Sequence, residues 1–158
     1  HGMTELLESE TVYQEHSLQT RLRVRTGSKR FGFPGITFSG TVTVNIYGMG
    51  LQTIETVMVA DKLGLQSTTL VVEAITPRDA GTASLSIDLH MVLLRVPGAT
   101  RLAQRSFLKA VAFDVDADVQ IWTNRRYLPR PLLTSADGEI ARYRQWARRF
   151  YPEETARS

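Results

Sequence analysis

An aspartate interrupts the apolar side of a segment with helical periodicity. Val111, Val115 and Trp122 are spaced by four and seven residues, the period of one helix face. Asp118 falls on that face, and Asp114 lies one turn before it. A carboxylate among apolar side chains is costly unless it is paired or functional, and burial raises its pKa. Asp118 is therefore the first candidate catalytic acid or base, and pairing with a neighbouring donor is the structural alternative.

Polar side chains on the strand segments form a second group of candidates. Asn45 and Tyr47 share one strand face, and Tyr47 is the second candidate catalytic residue. Asp88 and His90 also share a face of their strand. The residues that alternate with them, which include Met91, form the other face and are more apolar. We therefore expect Asp88 and His90 to point outward and Met91 to point inward. The predicted substrate-binding residues are Asn45, Met91, Val111, Asp114, Val115 and Trp122.

The elements that must position these residues fall into a strand block over 10–96 and a helical block over 97–158. In the first block, apolar and polar residues alternate between short turns, which predicts an antiparallel meander. The predicted strands are residues 20–26, 37–47, 51–59, 65–75 and 83–94. His16 is placed in a still earlier strand, and Lys29–Gly35 is predicted to be an ordered loop.

The helical block begins with a long segment over 99–127. Residues 113–121 also alternate as a strand would, but 100–112 is rich in helix formers and nothing breaks the pattern before Pro129. A helix is therefore predicted throughout. Asp137 is predicted to cap a short last helix over 138–151.

The predicted fold class is α+β, with a curved antiparallel sheet gripping the long C-terminal helix. This is a helix-grip arrangement of the START-domain type, and it is expected to fill residues 1–158 as one domain. Gly40, Ala74 and Ala83 are small residues that we expect on the inner face of the sheet. If they leave the space beneath the helix unfilled, it forms an apolar pocket.

Composition excludes several classes of protein. The chain has 158 residues, is 42% hydrophobic and carries a net charge of +3, which excludes disorder, and no apolar run approaches a membrane span. It contains no cysteine, so its own residues form no disulfide, thiolate zinc site or iron–sulfur cluster. No nucleic-acid motif accompanies the isoelectric point of about 9.5. His1-Gly2 has the form of an expression remnant before Met3, no signal peptide is apparent, and a cytoplasmic location is expected.

A dense group of motifs occupies the tail. They are Asp118-x-x-Ile121-Trp122-Thr123-Asn124-Arg125-Arg126-Tyr127, Arg130-Pro131-Leu132, Asp137-Gly138, Tyr143-Arg144-x-Trp146 and Phe150-Tyr151-Pro152. Together they resemble the C-terminal end of Rieske non-haem iron oxygenases, in the branch of 3-ketosteroid 9α-hydroxylases and cholesterol desaturases. Tyr47-Gly48 and Ile75-Thr76-Pro77 in the strand block are similar to that branch as well.

The resemblance implies ligands that this chain supplies only in part. Family members bind a [2Fe–2S] cluster through two Cys and two His, and a catalytic iron through two His and one carboxylate. The carboxylate of the family corresponds to Asp118. The chain has no Cys, and His1, His16 and His90 do not match the family's Asp-x-x-His-x-x-x-x-His segment. No metal or other cofactor is therefore expected on this chain.

Three functions follow as hypotheses. The first is a metal-free cyclase or isomerase acting on a bulky, apolar polyketide- or terpenoid-like intermediate, with catalysis by shaping of the substrate. The second is the catalytic fragment of a Rieske oxygenase with a steroid-like substrate, completed by missing segments or a partner. The third is a non-catalytic carrier of an apolar ligand. All three predict an apolar small molecule as partner, with no nucleic acid and no membrane, and leave a homo-oligomer open.

Overall fold

A six-stranded antiparallel sheet is the largest element of the fold. The computed structural model describes residues 4–27, 35–79, 81–93, 99–124, 128, 130–134 and 137–151. The strands are β1 (Thr4–Tyr13), β2 (Ser17–Gly27), β3 (Thr37–Tyr47), β4 (Leu51–Ala60), β5 (Leu65–Pro77) and β6 (Ala83–Leu93). They pair in chain order, so the sheet is the predicted meander. Short turns impose this order because they can join only antiparallel neighbours.

Glycines close two of the hairpins. Gly48 follows β3 with φ of 59°, and Gly64 precedes β5 with φ of 61°, a left-handed conformation that costs glycine little. The Gly64 amide donates to the Ala60 carbonyl at 2.9 Å and closes the β4–β5 turn. The first hairpin turns over Gln14–His16, where the Gln14 amide donates to the Ser17 carbonyl. His16 therefore lies in a turn, and its predicted position within a strand is wrong.

The pairing register separates the sheet into two faces. Cross-strand partners point to the same side, so one row joins Thr20, Val44, Ile54, Val71 and Leu89 across β2 to β6. Every buried residue among the described side chains of the sheet lies on this side, which we call the buried face. These residues are Leu18, Val24, Thr26, Ala60, Thr69 and Val71. The other side is the opposite face.

The opposite face carries a ladder of charges where β1 and β2 pair. Glu5, Glu8 and Glu10 each lie across from an arginine of β2, and the Arg23 Nη1 donates to Glu8 Oε2 at 3.3 Å. Both side chains of that pair are exposed, so it contributes at most about 1 kcal/mol. The alternation of apolar and basic residues in β2 therefore reflects one packed face and one solvated face.

Among the described residues, two α-helices follow the sheet. Helix α1 spans Ala99–Thr123, so the competing strand pattern over 113–121 is overridden, as predicted. Helix α2 spans Ile140–Ala147 and continues as a 3-10 turn over Arg148–Phe150. Its N-cap residue is Glu139, which makes no side-chain cap.

Asp137 therefore does not cap the last helix. Its carboxylate accepts hydrogen bonds from the Thr134 amide at 2.7 Å and from the Thr134 hydroxyl at 2.9 Å. The predicted role is wrong because the donors that Asp137 reaches belong to the turn before the helix.

Contacts divide the chain into two compact units, His1–Ala110 and Val111–Ser158. The first holds the whole sheet and the start of α1. The second holds the rest of α1 together with α2. No helix among the described residues is long and apolar enough to cross a membrane. The predicted loop at Lys29–Gly35 falls outside the described residues apart from Gly35, and His1-Gly2 also falls outside them.

Candidate functional site

The centre of the buried face is apolar and partly open. Val42 and Val44 of β3, Ile54 of β4, and Leu89 and Met91 of β6 are half-buried there. These side chains pack beside one another across the sheet, yet each keeps accessible surface. Contiguous apolar surface that stays accessible on a folded protein is typical of ligand-binding sites.

Small residues do not all lie on this face. Gly40 pairs with Val24 and Met58 on the buried face, and Ala83 shares the parity of Leu89 there. Ala74 pairs with Leu51 and Ser86, which places it on the opposite face, so the prediction for Ala74 is wrong. The side-chain period of two separates residues within one strand, but the face of one strand relative to the next depends on register.

The space at Gly40 is not open either. A Cβ added there would stand 2.0 Å from the Val57 carbonyl oxygen and 2.9 Å from the Met58 Cα. Gly40 therefore permits a close approach of β4 rather than leaving room for a ligand.

A glutamate lies at one end of the buried face. Glu73 of β5 pairs with Gln52 of β4, and the Gln52 Nε2 donates to Glu73 Oε2 at 3.2 Å. Tyr13 and Leu18 belong to the same row of the sheet. A half-buried carboxylate held by an amide can accept a hydrogen bond from a ligand hydroxyl or move a proton.

Sequence reasoning overlooked Glu73 as a candidate. The signal was present, because Glu73 continues the alternation of Thr69 and Val71 along β5. Only the register with β4 shows that this parity belongs to the buried face.

The predicted strand residues separate onto two faces. Asn45 and Tyr47 lie on the opposite face, whereas Met91 lies on the buried face. Asn45 Oδ1 accepts from Gln19 Nε2 at 2.8 Å, and its Nδ2 donates to Thr53 Oγ1 at 3.3 Å. The sheet thus does not bring Asn45 and Tyr47 together with Met91.

The remaining predicted residues all lie on α1. Val111 and Val115 are half-buried, whereas Asp114, Asp118 and Trp122 are exposed. Their spacing does form one helix face, as expected from the sequence. Their role as a site stays a prediction.

The donor set of this chain does not fit the family's metal groups. Among the described residues, no three His, Cys, Asp or Glu lie close enough to hold a metal ion. His16 lies in the first turn and His90 on β6, and the sequence has no cysteine for a [2Fe–2S] cluster. Asp118 alone is too few ligands for iron.

The second unit carries a separate cleft of about 290 Å³. It is lined by Pro131, Leu133, Ala141, Arg144, Gln145 and Arg148. The Arg144 Nη2 donates to the Leu128 carbonyl at 2.6 Å, which holds this guanidinium in place. None of the predicted site residues lines this cleft.

Residues 3–151 match the family described as the 3-ketosteroid 9alpha-hydroxylase C-terminal domain. Shorter segments resemble cholesterol 7-desaturases. The identity is 47% over 53 residues with cholesterol 7-desaturase nvd 1 of Ciona intestinalis, covering 34% of this chain and 11% of the relative. It is 40% over 47 residues with the enzyme of Caenorhabditis elegans, covering 30% and 11%. It is 36% over 50 residues with that of Xenopus laevis, covering 32% and 11%. The matched segments thus span about a tenth of each relative.

Proposed function

Because this chain belongs to the family of 3-ketosteroid 9α-hydroxylase C-terminal domains, we propose that its sheet holds a bulky apolar substrate. The supporting observation is the half-buried apolar row formed by Val44, Ile54 and Leu89 with buried Val71 between them. Four neighbouring strands extend over about 14 Å at the usual strand spacing. That width suits a fused-ring skeleton or a folded polyene.

The chemistry we propose is a metal-free cyclisation or isomerisation of a polyketide- or terpenoid-like intermediate. Its support is the donor set, since this chain supplies neither cysteine nor a histidine pair with the family's spacing. Such rearrangements require no redox cofactor. Holding the reacting carbons in one conformation can lower the barrier by as much as about 7–11 kcal/mol. The helix-grip arrangement predicted from the sequence, in which α1 closes the buried face, belongs to this proposal.

Shaping of the substrate, rather than proton transfer, is the proposed source of the rate. Val44→Phe fills the buried face and is expected to abolish turnover. Thr43→Phe adds the same ring on the opposite face of β3 and is the matched control. Comparable melting temperatures for the two variants would exclude unfolding as the cause. Equal loss of turnover in both would contradict the proposal.

Asp118→Asn tests proton transfer separately. This change preserves shape and removes the base, so the shaping mechanism predicts a nearly unchanged rate. A fall of about 10²-fold or more would instead assign general acid–base chemistry to Asp118. Glu73→Gln is the parallel test for the carboxylate on the buried face. An unchanged rate would again support shaping, and a fall of about 10²-fold or more would assign acid–base chemistry to Glu73.

A second function is favoured by the relatives, which are named for cholesterol desaturation. In it, this chain is the substrate-holding part of an iron oxygenase acting on a steroid-like substrate, and other segments or a partner supply the metal ligands. Non-catalytic binding of an apolar ligand is the third function.

The mass of the product distinguishes the three functions. We would incubate the purified chain with the metabolite that accumulates when its gene is deleted, in the presence and absence of chelator. Metal-free cyclisation or isomerisation yields a product of unchanged mass, with or without chelator. Oxygenation adds an oxygen atom and desaturation removes two hydrogen atoms. Both require iron, dioxygen as the oxidant and a reductant. A carrier returns the metabolite unaltered, and this result would also contradict the proposed chemistry.

A further inference from the structure

The two edges of the sheet differ in their protection against pairing with another strand. β1 forms one edge, and its pairing with β2 shifts between Leu6 and Glu8. Glu5, Glu8 and Glu10 also bring like charges to one face of this edge. Irregular pairing and charge are the usual means by which an edge strand avoids other strands.

β6 forms the other edge and has neither the irregular pairing nor the row of like charges that protects β1. It pairs with β5 over Ala83–Leu93 without a shift in register, and it contains no proline or lysine. No strand lies beyond it among the residues that the structure describes. Val92 near its end is 68% exposed. A regular strand with a free edge is a template for a further strand.

Two polar side chains of β6 are complementary to a second copy of the same strand, because an imidazole N–H can donate to a carboxylate. Asp88 and His90 are exposed on the opposite face, and neither makes a hydrogen bond or ion pair with a described residue. In an antiparallel pair related by a twofold axis at Leu89, Asp88 of each copy lies across from His90 of the other. The same register places Ile87 across from Met91 on the buried face.

We propose that β6 is a self-pairing edge, through which two copies of this chain join their sheets into one. Shifting the twofold axis to Asp88 or to His90 would place like residues opposite each other. The register at Leu89 is the one of these three that pairs a carboxylate with an imidazole. A ladder of about nine residues buries less surface than the ~1,600 Å² that a standard protein interface buries. The dimer is therefore weak and concentration-dependent. This inference is independent of the proposed function.

Exchanging the residues at positions 88 and 90 tests the register. Sedimentation velocity over a range of micromolar concentrations is expected to show a reversible monomer–dimer equilibrium for the wild-type chain. His90→Asp places two carboxylates opposite each other and is expected to weaken the dimer about tenfold or more. The double variant Asp88→His with His90→Asp exchanges the partners and is expected to restore the wild-type equilibrium.

Val12→Asp on β1 is the control, because it adds a charge at the other edge and is expected to leave the dimer unchanged. Circular dichroism melting curves confirm that each variant is folded. A wild-type chain that stays monomeric at every concentration would overturn the inference. So would a dimer that Val12→Asp disrupts, or one that the double variant fails to restore.

Discussion

At the scale of single residues, Gly40 has the least room for a Cβ of all the described glycines. The Val57 carbonyl and the Met58 Cα occupy the space that a Cβ would need. Gly40→Ala forces β3 and β4 apart and is expected to lower the free energy of unfolding by about 1–3 kcal/mol. Gly27→Ala is the control, since nothing lies within 4 Å of a Cβ added there. Urea unfolding measures both, and equal stability of the two variants would contradict the structure at this point.

Asp79, in the turn between β5 and β6, makes the stability of the fold depend on pH. The Thr82 hydroxyl donates to the carboxylate at 2.6 Å and the Gly81 amide at 2.8 Å, and they hold the pKa of Asp79 below its usual 3.8. A carboxyl whose pKa is lower in the folded state contributes stability above its unfolded pKa. That contribution begins to be lost as pH falls below about 3.8, the pKa in the unfolded state. The loss is complete once the pH is below the lower pKa of the folded state.

We therefore expect Asp79→Asn to reduce stability at about pH 6 and to match the wild-type chain at about pH 2. Urea midpoints across this range give the comparison. Asp137 has its pKa lowered by the Thr134 amide and hydroxyl, so it adds to the acid sensitivity of both proteins equally. Parallel curves for the variant and the wild-type chain would show that the Asp79 contacts do not persist in solution.

At the scale of elements, helix α2 depends on one aromatic cluster. Trp146 is 3% exposed and packs edge-on against Phe150, with ring centroids 4.9 Å apart, and tilted against Tyr143 at 5.9 Å. Burial, together with the nearby Tyr151, raises the pKa of Tyr143. The helix has only eight residues, too few to be stable by propensity alone. Its stability must therefore come from this packing.

Trp146→Ala is expected to cost about 3–5 kcal/mol and to lower protection of the α2 amides against hydrogen exchange. The chain contains two tryptophans, and Trp122 on α1 is 43% exposed. Trp122→Ala is thus the matched control, with an expected cost near 0.5 kcal/mol. Unchanged exchange in α2 after loss of Trp146 would show that other contacts hold this helix.

At the scale of the whole molecule, the set of available ligands predicts the metal content of this chain. Without cysteine, and with no histidine pair at the family's spacing, we expect no [2Fe–2S] absorbance and no stoichiometric iron. Elemental analysis of the purified chain, with a two-domain family member as positive control, measures this directly. About one iron per chain would contradict the metal-free proposal and favour the oxygenase.

Much of this organisation could be predicted from the sequence because it is local. Alternation of apolar and polar residues indicated β2 to β6 within a few residues of their bounds, and helical spacing indicated α1. The tail motifs identified the family that residues 3–151 match. β1 was not delimited, because the shift in pairing between Leu6 and Glu8 breaks the period of two.

Only the tertiary structure decided which residues share a face of the sheet. Periodicity divides the side chains of one strand between two faces. The register between strands then determines which of these groups lie together on one face of the sheet. It is therefore the register that separates Asn45 from Met91, moves Ala74 to the opposite face, and brings Glu73 to the buried face. That register arises from turns and backbone hydrogen bonds acting between strands, and a shift of one residue would reverse every assignment.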